Sequence, residues 1–138
     1  MNNVSIIYAT KTKHSQKIAK AIGSKLNQKI YNISVSPRIK DLDLLFIVGG
    51  IYGGESLPSL IEFVKSLSVD EVKKVVLVTS SLTKEKGQEN IRKLLLEKGI
   101  KVIDEIMCKG SFLFFGMGNP KKQELIDTAN RAYDLAIN

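Results

Sequence analysis

The chain has 138 residues, of which 43% are hydrophobic and 25% charged, and its formal net charge at pH 7 is +7. This length predicts one domain over residues 1–138 with a core of two or three layers. The composition excludes low-complexity and disulfide-rich classes, because the single cysteine, Cys108, cannot form an intramolecular disulfide. We identify neither the charged leader of a secretion signal nor an apolar run of ~18 residues that could span a bilayer. We therefore expect a cytoplasmic protein without membrane contact.

Positive charge is concentrated at the start of the chain. The first 40 residues contain eight Lys or Arg and no Asp or Glu, so they supply the whole excess. Lys13, Lys17 and Lys20 have helical spacing and fall opposite Ile18 and Ile22 on the same helix. A solvated helix face explains this pattern, and so does a docking face for an acidic partner. Nucleic acid is not expected as a partner.

Short apolar runs and helical patterns alternate along the chain. The runs predict strands at Val4–Tyr8, Ile30–Ile33, Leu44–Val48, Val75–Thr79 and Val102–Met107. Helices are predicted at about Thr12–Leu26, Leu57–Leu67, Lys84–Glu97 and Lys121–Ile137. The segment between the second and third strands is too short for a full helix, so a loop or one helical turn is expected there. Cys108, next to the last strand, is expected to be a buried, inert thiol.

The strands are apolar on both faces, which predicts an α/β fold with a parallel sheet covered by helices on both sides. Five strands with this connectivity are compatible with the order 2-1-3-4-5. In that order, a ligand crevice opens at the carboxyl ends of strands 1 and 3. The segments that follow these two strands are therefore the candidate ligand loops.

The first candidate loop is rich in hydroxyl groups and opens a helix. Thr10, Thr12 and Ser15 surround the point where unpaired backbone N–H groups and the positive end of the helix dipole favour an anion. Alternatively, Thr10 or Thr12 only caps the helix. Three hydroxyls exceed what one cap needs, so the pattern favours a phosphate site.

The second candidate loop follows the third strand and contains four glycines around one tyrosine, Tyr52. Glycines let a backbone approach a flat ligand closely and adopt positive φ. The alternative is a plain connection to a helix that starts at Pro58.

Together, the two loops resemble those of the short-chain flavodoxin family, and the resemblance extends along essentially the full chain. It implies a three-layer flavodoxin-like fold and the cofactor FMN; flavodoxin is itself the standard example of the crevice rule applied above. The first loop resembles the family's phosphate loop, which implies phosphate contacts from Thr10, Lys11, Thr12, Lys13, His14 and Ser15. The second resembles the segment that packs on the isoalloxazine ring, which implies stacking by Tyr52 and backbone contacts from Gly50, Ile51, Gly53 and Gly54.

Two departures from the family pattern are visible. Lys13 stands where the phosphate loop has glycine, so a positive φ there would strain the backbone by about 1 kcal/mol or more. The third loop, with Ser80, Ser81 and Leu82 as candidate cofactor contacts, lacks the second stacking aromatic of many flavodoxins. One flavin face is therefore expected to be open or covered by Leu82.

Several rival classes are excluded by their missing motifs. A response-regulator receiver needs an acidic cluster after strand 1, and this chain has no acid before Asp41. The G-x-G-x-x-G and G-x-x-x-x-G-K-[ST] loops of nucleotide-binding domains are absent. His14, the only histidine, has no second histidine and no cysteine near it in sequence, so no metal site is expected.

Two functions remain open on this basis. The first is an FMN electron carrier that shuttles electrons to or from a redox partner protein, with no catalytic residue of its own. The second is an FMN-dependent oxidoreductase or an accessory subunit of a flavoenzyme. A domain of this fold that has lost FMN and serves as a binding module is a further alternative.

Overall fold

The computed structural model describes residues 3–9, 13–51, 55–81, 87–109 and 122–137. Within these ranges, strands and helices alternate along the chain. The strands are β1 (Val4–Tyr8), β2 (Ile30–Asn32), β3 (Leu42–Gly50), β4 (Val72–Ser81) and β5 (Lys101–Lys109). The helices are α1 (His14–Leu26), α2 (Pro58–Lys65), α3 (Glu89–Glu97) and α4 (Lys122–Ile137).

The strands form one parallel sheet in the order β2-β1-β3-β4-β5, which confirms the predicted topology. β1 pairs with β3 over its whole length, from Val4 opposite Leu44 to Tyr8 opposite Val48. After β1 the chain crosses to β2 on one side, and after β3 it crosses to β4 on the other. The connections leave the sheet in opposite directions at this point, so a crevice opens at the carboxyl ends of β1 and β3.

Helices cover both faces of the sheet because successive strand residues are buried in two separate cores. In β3, Leu45 and Ile47 pack with α2 and α3, whereas Phe46 and Val48 pack with α1 and α4. All four side chains are fully buried. This accounts for the run of apolar residues without polar alternation, and it confirms the three-layer α/β prediction.

The element boundaries differ from the predicted ones in places. β3, β4 and β5 extend further, because backbone pairing continues into the glycines and polar residues at their ends. A 3₁₀ turn, Ile33–Val35, confirms the predicted single turn between β2 and β3. The Asn32 side chain accepts a hydrogen bond from the Ser34 N–H at 3.0 Å and ends β2 one residue early.

Cys108 lies on β5 within the core formed by α1 and α4, and only 3% of its surface is exposed. Burial raises the pKa of its thiol to about 11. The thiol therefore stays protonated near neutral pH, where only a thiolate would be a nucleophile. This confirms the expected buried thiol.

Gly23 of α1 sits where a side chain does not fit. A Cβ at this position would lie 2.8 Å from Cγ2 of Ile30 and 2.9 Å from the carbonyl oxygen of Gln28. The chain thus retains a helix-destabilising residue in order to bring α1 against β2.

We expect Gly23→Ala to lower the free energy of unfolding by about 1–3 kcal/mol, because the Gln28 backbone has to move. The expected destabilisation is opposite to the ordinary helix preference, in which alanine stabilises a helix by about 1 kcal/mol relative to glycine. Urea denaturation measures the change. Ser24→Ala, at the exposed neighbouring position, is the control and should be neutral or slightly stabilising. A stabilised Gly23→Ala protein would contradict the packing.

Candidate functional site

The crevice lies at the carboxyl ends of β1, β3 and β4. Backbone hydrogen bonds join the residues at which the chain leaves these strands. The Ala9 N–H donates to the Val48 carbonyl at 3.0 Å, and the Ile51 N–H donates to the Ser80 carbonyl at 3.1 Å. The three loops that the sequence singles out therefore start from one rigid edge. Gly50, Ile51, Ser80 and the Ser81 backbone lie at this edge.

Lys13 is the N-cap of α1 and adopts a left-handed conformation, with φ 70° and ψ −1°. This is the position at which the family pattern has glycine, and left-handed backbone costs an L-residue roughly 1–2 kcal/mol. Helix α1 accordingly begins at His14, two residues after the predicted start at about Thr12. The expectations for Thr10, Lys11 and Thr12 themselves lie outside the described residues.

The first turn of α1 has the backbone arrangement expected of an anion site. Its first helical hydrogen bond runs from the Lys17 N–H to the Lys13 carbonyl at 3.1 Å. The N–H groups of Ser15 and Gln16 precede that bond and have no acceptor within the helix. They lie directly beyond the carboxyl end of β1, at the positive end of the helix dipole.

Ser15 has a side chain that the fold of the described residues leaves unsatisfied. Its side chain is fully buried, and its Oγ has no hydrogen-bond partner among the described residues. A buried hydroxyl without a partner costs about 1–3 kcal/mol. The cost is explained if the hydroxyl serves a ligand held at the start of α1.

Positive charge surrounds the same helix start. Lys13 and Lys20 are exposed and Lys17 is half-buried. Ile18 and Ile22, on the opposite side of the helix, are fully buried. The predicted lysine face of α1 is therefore present. Burial, and secondly the charge of Lys17, lower the pKa of His14 below its usual value.

The second loop begins at Gly50 and Ile51, and Tyr52, Gly53 and Gly54 lie outside the described residues. Gly49, just before it, is closely packed: a Cβ there would lie 2.9 Å from Cδ2 of Leu60. Ser56, on the far side of the loop, is 5% exposed, and its Oγ also lacks a partner among the described residues. Ser56 is not among the predicted site residues, although it lies only two residues after Gly54.

A polar network that was not predicted connects the two residues that flank the third loop, Thr79 and Gln88. The side chain of Glu105, on β5, accepts hydrogen bonds from the Thr79 hydroxyl at 2.6 Å and the Gln88 N–H at 2.8 Å. Arg92 of α3 forms an ion pair with it at 2.9 Å. Two adjacent acids within an otherwise apolar strand were the available signal. Leu82 lies outside the described residues.

The comparisons with known proteins agree with this geometry. A family model described as a flavodoxin domain matches residues 5–123, which include most of the sheet and the roots of all three loops. The chain belongs to the flavodoxin family. Its relatives include an uncharacterized protein of Methanocaldococcus jannaschii, 35% identical over 102 residues, which are 71% of this chain and 68% of that protein.

Two solved structures resemble this flavodoxin-family chain closely in fold. An NAD(P)H:quinone oxidoreductase from Methanothermobacter marburgensis matches with a TM-score of 0.70 at 11% identity, over 98% of this chain and 100% of that one. Oxidised flavodoxin 2 from Bacillus cereus matches with a TM-score of 0.67 at 14% identity, over 98% of both chains. At such low identities these similarities support the fold alone.

Among the residues that the structure describes, no helix is both long and apolar enough to span a bilayer. Within the same residues, no group of three or more His, Cys, Asp or Glu side chains is placed to hold a metal ion.

The strain at Lys13 is measurable in the protein without any ligand. We expect Lys13→Gly to raise the free energy of unfolding by about 1 kcal/mol, since glycine adopts positive φ without steric cost. Lys17→Gly, one turn into the helix, is the matched control and should lower it by about 1 kcal/mol. Urea denaturation of both variants gives the comparison. Equal destabilisation by the two substitutions would show that Lys13 is unstrained.

Proposed function

We propose that this flavodoxin-family protein binds FMN in the crevice and carries electrons to or from a redox partner protein in the cytoplasm. The observation that carries the proposal is the fully buried Ser15 hydroxyl in the first turn of α1, which has no hydrogen-bond partner among the described residues. It lies where strand-to-helix connections of α/β sheets bind phosphates.

The proposal assigns the phosphate to the first loop and the start of α1. Its donors are the backbone N–H groups that precede the first helical hydrogen bond and the hydroxyls of the loop, and Lys13 adds positive charge. The assigned residues are Thr10, Lys11, Thr12, Lys13, His14 and Ser15. A phosphate monoester is a dianion near neutral pH, so it gains from every one of these groups.

The other two loops are assigned to the flavin ring. Tyr52 offers an aromatic face for stacking, and the glycines around it let the backbone approach a flat ring. The assigned residues are Gly50, Ile51, Tyr52, Gly53, Gly54, Ser80, Ser81 and Leu82. Bound FMN supplies the redox chemistry by taking up and releasing electrons, and the chain's residues bind the ring and set its electrostatic environment.

An FMN-dependent oxidoreductase, or an accessory subunit of a flavoenzyme, is the second candidate function. The absence of an aromatic residue from Ser80, Ser81 and Leu82 favours it, because an uncovered ring face would leave room for a substrate. The similarity in fold to an NAD(P)H:quinone oxidoreductase is compatible with it. Steady oxidation of NAD(P)H by the FMN-loaded protein with a soluble quinone would support the enzyme, whereas single-turnover electron exchange alone would support the carrier.

Ser15→Ala tests the phosphate site through two opposite effects. Without FMN, we expect unchanged or slightly higher stability, because the substitution removes a buried hydroxyl that has no partner among the residues the structure describes. FMN binding should weaken by about 1–3 kcal/mol, which a flavin fluorescence titration measures. Ser24→Ala, an exposed hydroxyl on the same helix, is the control and should change neither. Unchanged FMN affinity in Ser15→Ala would remove the assignment of this hydroxyl.

Flavodoxins as a family tend to be acidic, and their negative charge opposes the second electron taken up by the flavin. This chain has a net charge of +7. At an effective dielectric constant near 20, a lysine at roughly 10 Å attracts the negative charge of the reduced flavin by about 1.7 kcal/mol. Salt screening strongly reduces this attraction at exposed sites. We therefore propose a potential for the second electron that is modestly less negative than the family norm, and an acidic docking face on the partner.

The lysine face predicts that the FMN-loaded, reduced protein reacts faster with an anionic oxidant than with a cationic one. We expect oxidation by ferricyanide to slow about tenfold as salt rises, and oxidation by hexaammineruthenium(III) to show the opposite trend. Stopped-flow absorbance measures both rates. Lys17→Glu with Lys20→Glu should reduce the ferricyanide rate at low salt.

The matched control is Lys65→Glu with Lys93→Glu. It makes the same change in net charge at exposed positions of α2 and α3, on the other face of the sheet. We expect a clearly smaller effect from this pair. Equal effects of the two pairs would show that only net charge matters and would remove α1 as the docking face.

A further inference from the structure

One carboxylate holds both ends of the third loop. Thr79 precedes the loop and Gln88 follows it, and both donate to the same Oε2 atom of Glu105, through the Thr79 hydroxyl and the Gln88 backbone N–H. The Glu105 side chain is only 13% exposed. A carboxylate with charge-assisted hydrogen bonds to two segments fixes the distance between them.

A β-bulge brings Glu105 to the correct face of the sheet. Val75 pairs with Val102 but Val76 pairs with Asp104, so Ile103 is the extra residue of β5. Ile103 packs in the core with α1 and α4, and Asp104 forms an ion pair with Arg131 of α4. Two successive residues thus face α4, and the alternation resumes with Glu105 facing α3.

The carboxylate lies close to the backbone at the end of the third loop. A Cβ on Gly87 would collide with the carboxylate of Glu105. The side-chain amide of Gln88 donates to the carbonyls of Ile47 and Val78, at 3.3 and 3.1 Å, and so ties the loop end to β3 and β4. The same amide nitrogen lies 3.2 Å from the Thr79 hydroxyl oxygen, while its Oε1 atom has no partner among the described residues.

A backbone hydrogen bond connects the hydrogen-bond network of Glu105 to the start of the second loop. Ser80 follows Thr79, and its carbonyl accepts the N–H of Ile51, where the second loop begins. Any shift of Thr79 relative to β5 is therefore transmitted to Ile51. Among the described residues, the side chain of Glu105 is hydrogen-bonded to Thr79, Gln88 and Arg92 and not to Ile51 or Ser80, so the coupling acts through the position of the β4 end.

We propose that Glu105 is a positioning residue that sets the spacing between the second and third loops of the crevice. The part of this inference that concerns flavin rests on the proposed function. Arg92, whose side chain is 39% exposed, balances the charge of the carboxylate. Because Arg92 remains in contact with water, loss of the Glu105 charge does not leave a buried, unpaired cation, so neutral variants are expected to fold.

The first test is hydrogen exchange of the ligand-free protein, measured for individual amides by NMR. In Glu105→Gln we expect the Gln88 and Ile51 amides to exchange about tenfold faster, with Ile6 and Ile7 in β1 unchanged. Ile51 is the informative amide, because its own acceptor, the Ser80 carbonyl, is untouched by the substitution. Faster exchange at Gln88 with no change at Ile51 would overturn the positioning role.

Asp104→Asn is the matched control, since it removes a neighbouring carboxylate and its ion pair to Arg131 on the opposite face. It should leave Gln88 and Ile51 unchanged. If it accelerates them equally, or if Glu105→Gln accelerates Ile6 and Ile7 equally, the effect is general destabilisation and the inference fails. Thr79→Val removes one hydroxyl of the network and serves the same test if Glu105→Gln does not yield folded protein.

The second test uses FMN. In Glu105→Gln we expect an FMN dissociation constant about tenfold higher and an altered visible circular dichroism of the bound flavin, with both unchanged in Asp104→Asn. If the unsubstituted protein binds no FMN, the proposed function fails. The hydrogen-exchange result still tests whether Glu105 positions the two loops. If the unsubstituted protein binds FMN and Glu105→Gln leaves affinity and spectrum unchanged, the positioning of the flavin loops by Glu105 is refuted.

Discussion

The pairing of β1 with β3 is the constraint on which the crevice depends. These two strands are neighbours in the sheet although β2 separates them in sequence, and the chain leaves them toward opposite faces. The hydrogen bond from Ala9 to the Val48 carbonyl continues this pairing to the start of the first loop. The start of α1 and the end of β3 at Gly50 lie at one edge because of this topology, and no single side chain creates the site.

Buried polar groups that lack a partner lie at that edge. Among the described residues, the Oγ atoms of Ser15 and Ser56, next to the first and second loops, accept and donate no hydrogen bond. Lys13, at the start of α1, is held at φ 70°, although positive φ also occurs away from the crevice, at Asn27, Ser36 and Asp41. The unsatisfied hydroxyls cost stability in the ligand-free protein, and the apolar cores on both sides of the sheet offset that cost.

Much of the architecture could be predicted from the sequence, because strands buried on both faces read as continuous apolar runs. Val4–Tyr8 agrees with its predicted bounds, and the alternation of strands and helices is compatible with the observed strand order without requiring it. The start of α1 was placed two residues early, since the left-handed backbone of Lys13 has no signature in a residue that is not glycine. The Glu105 network was missed because it joins residues 17 and 26 positions apart across a bulge.

The central claim is that the phosphate of FMN is bound at the start of α1. Titrating the ligand-free protein with FMN and with riboflavin, which lacks the phosphate, tests it most directly. Two or more hydrogen bonds to a charged group predict that FMN binds at least about a hundredfold more tightly than riboflavin, with a difference that shrinks as salt rises. Equal affinities for the two flavins would contradict the account.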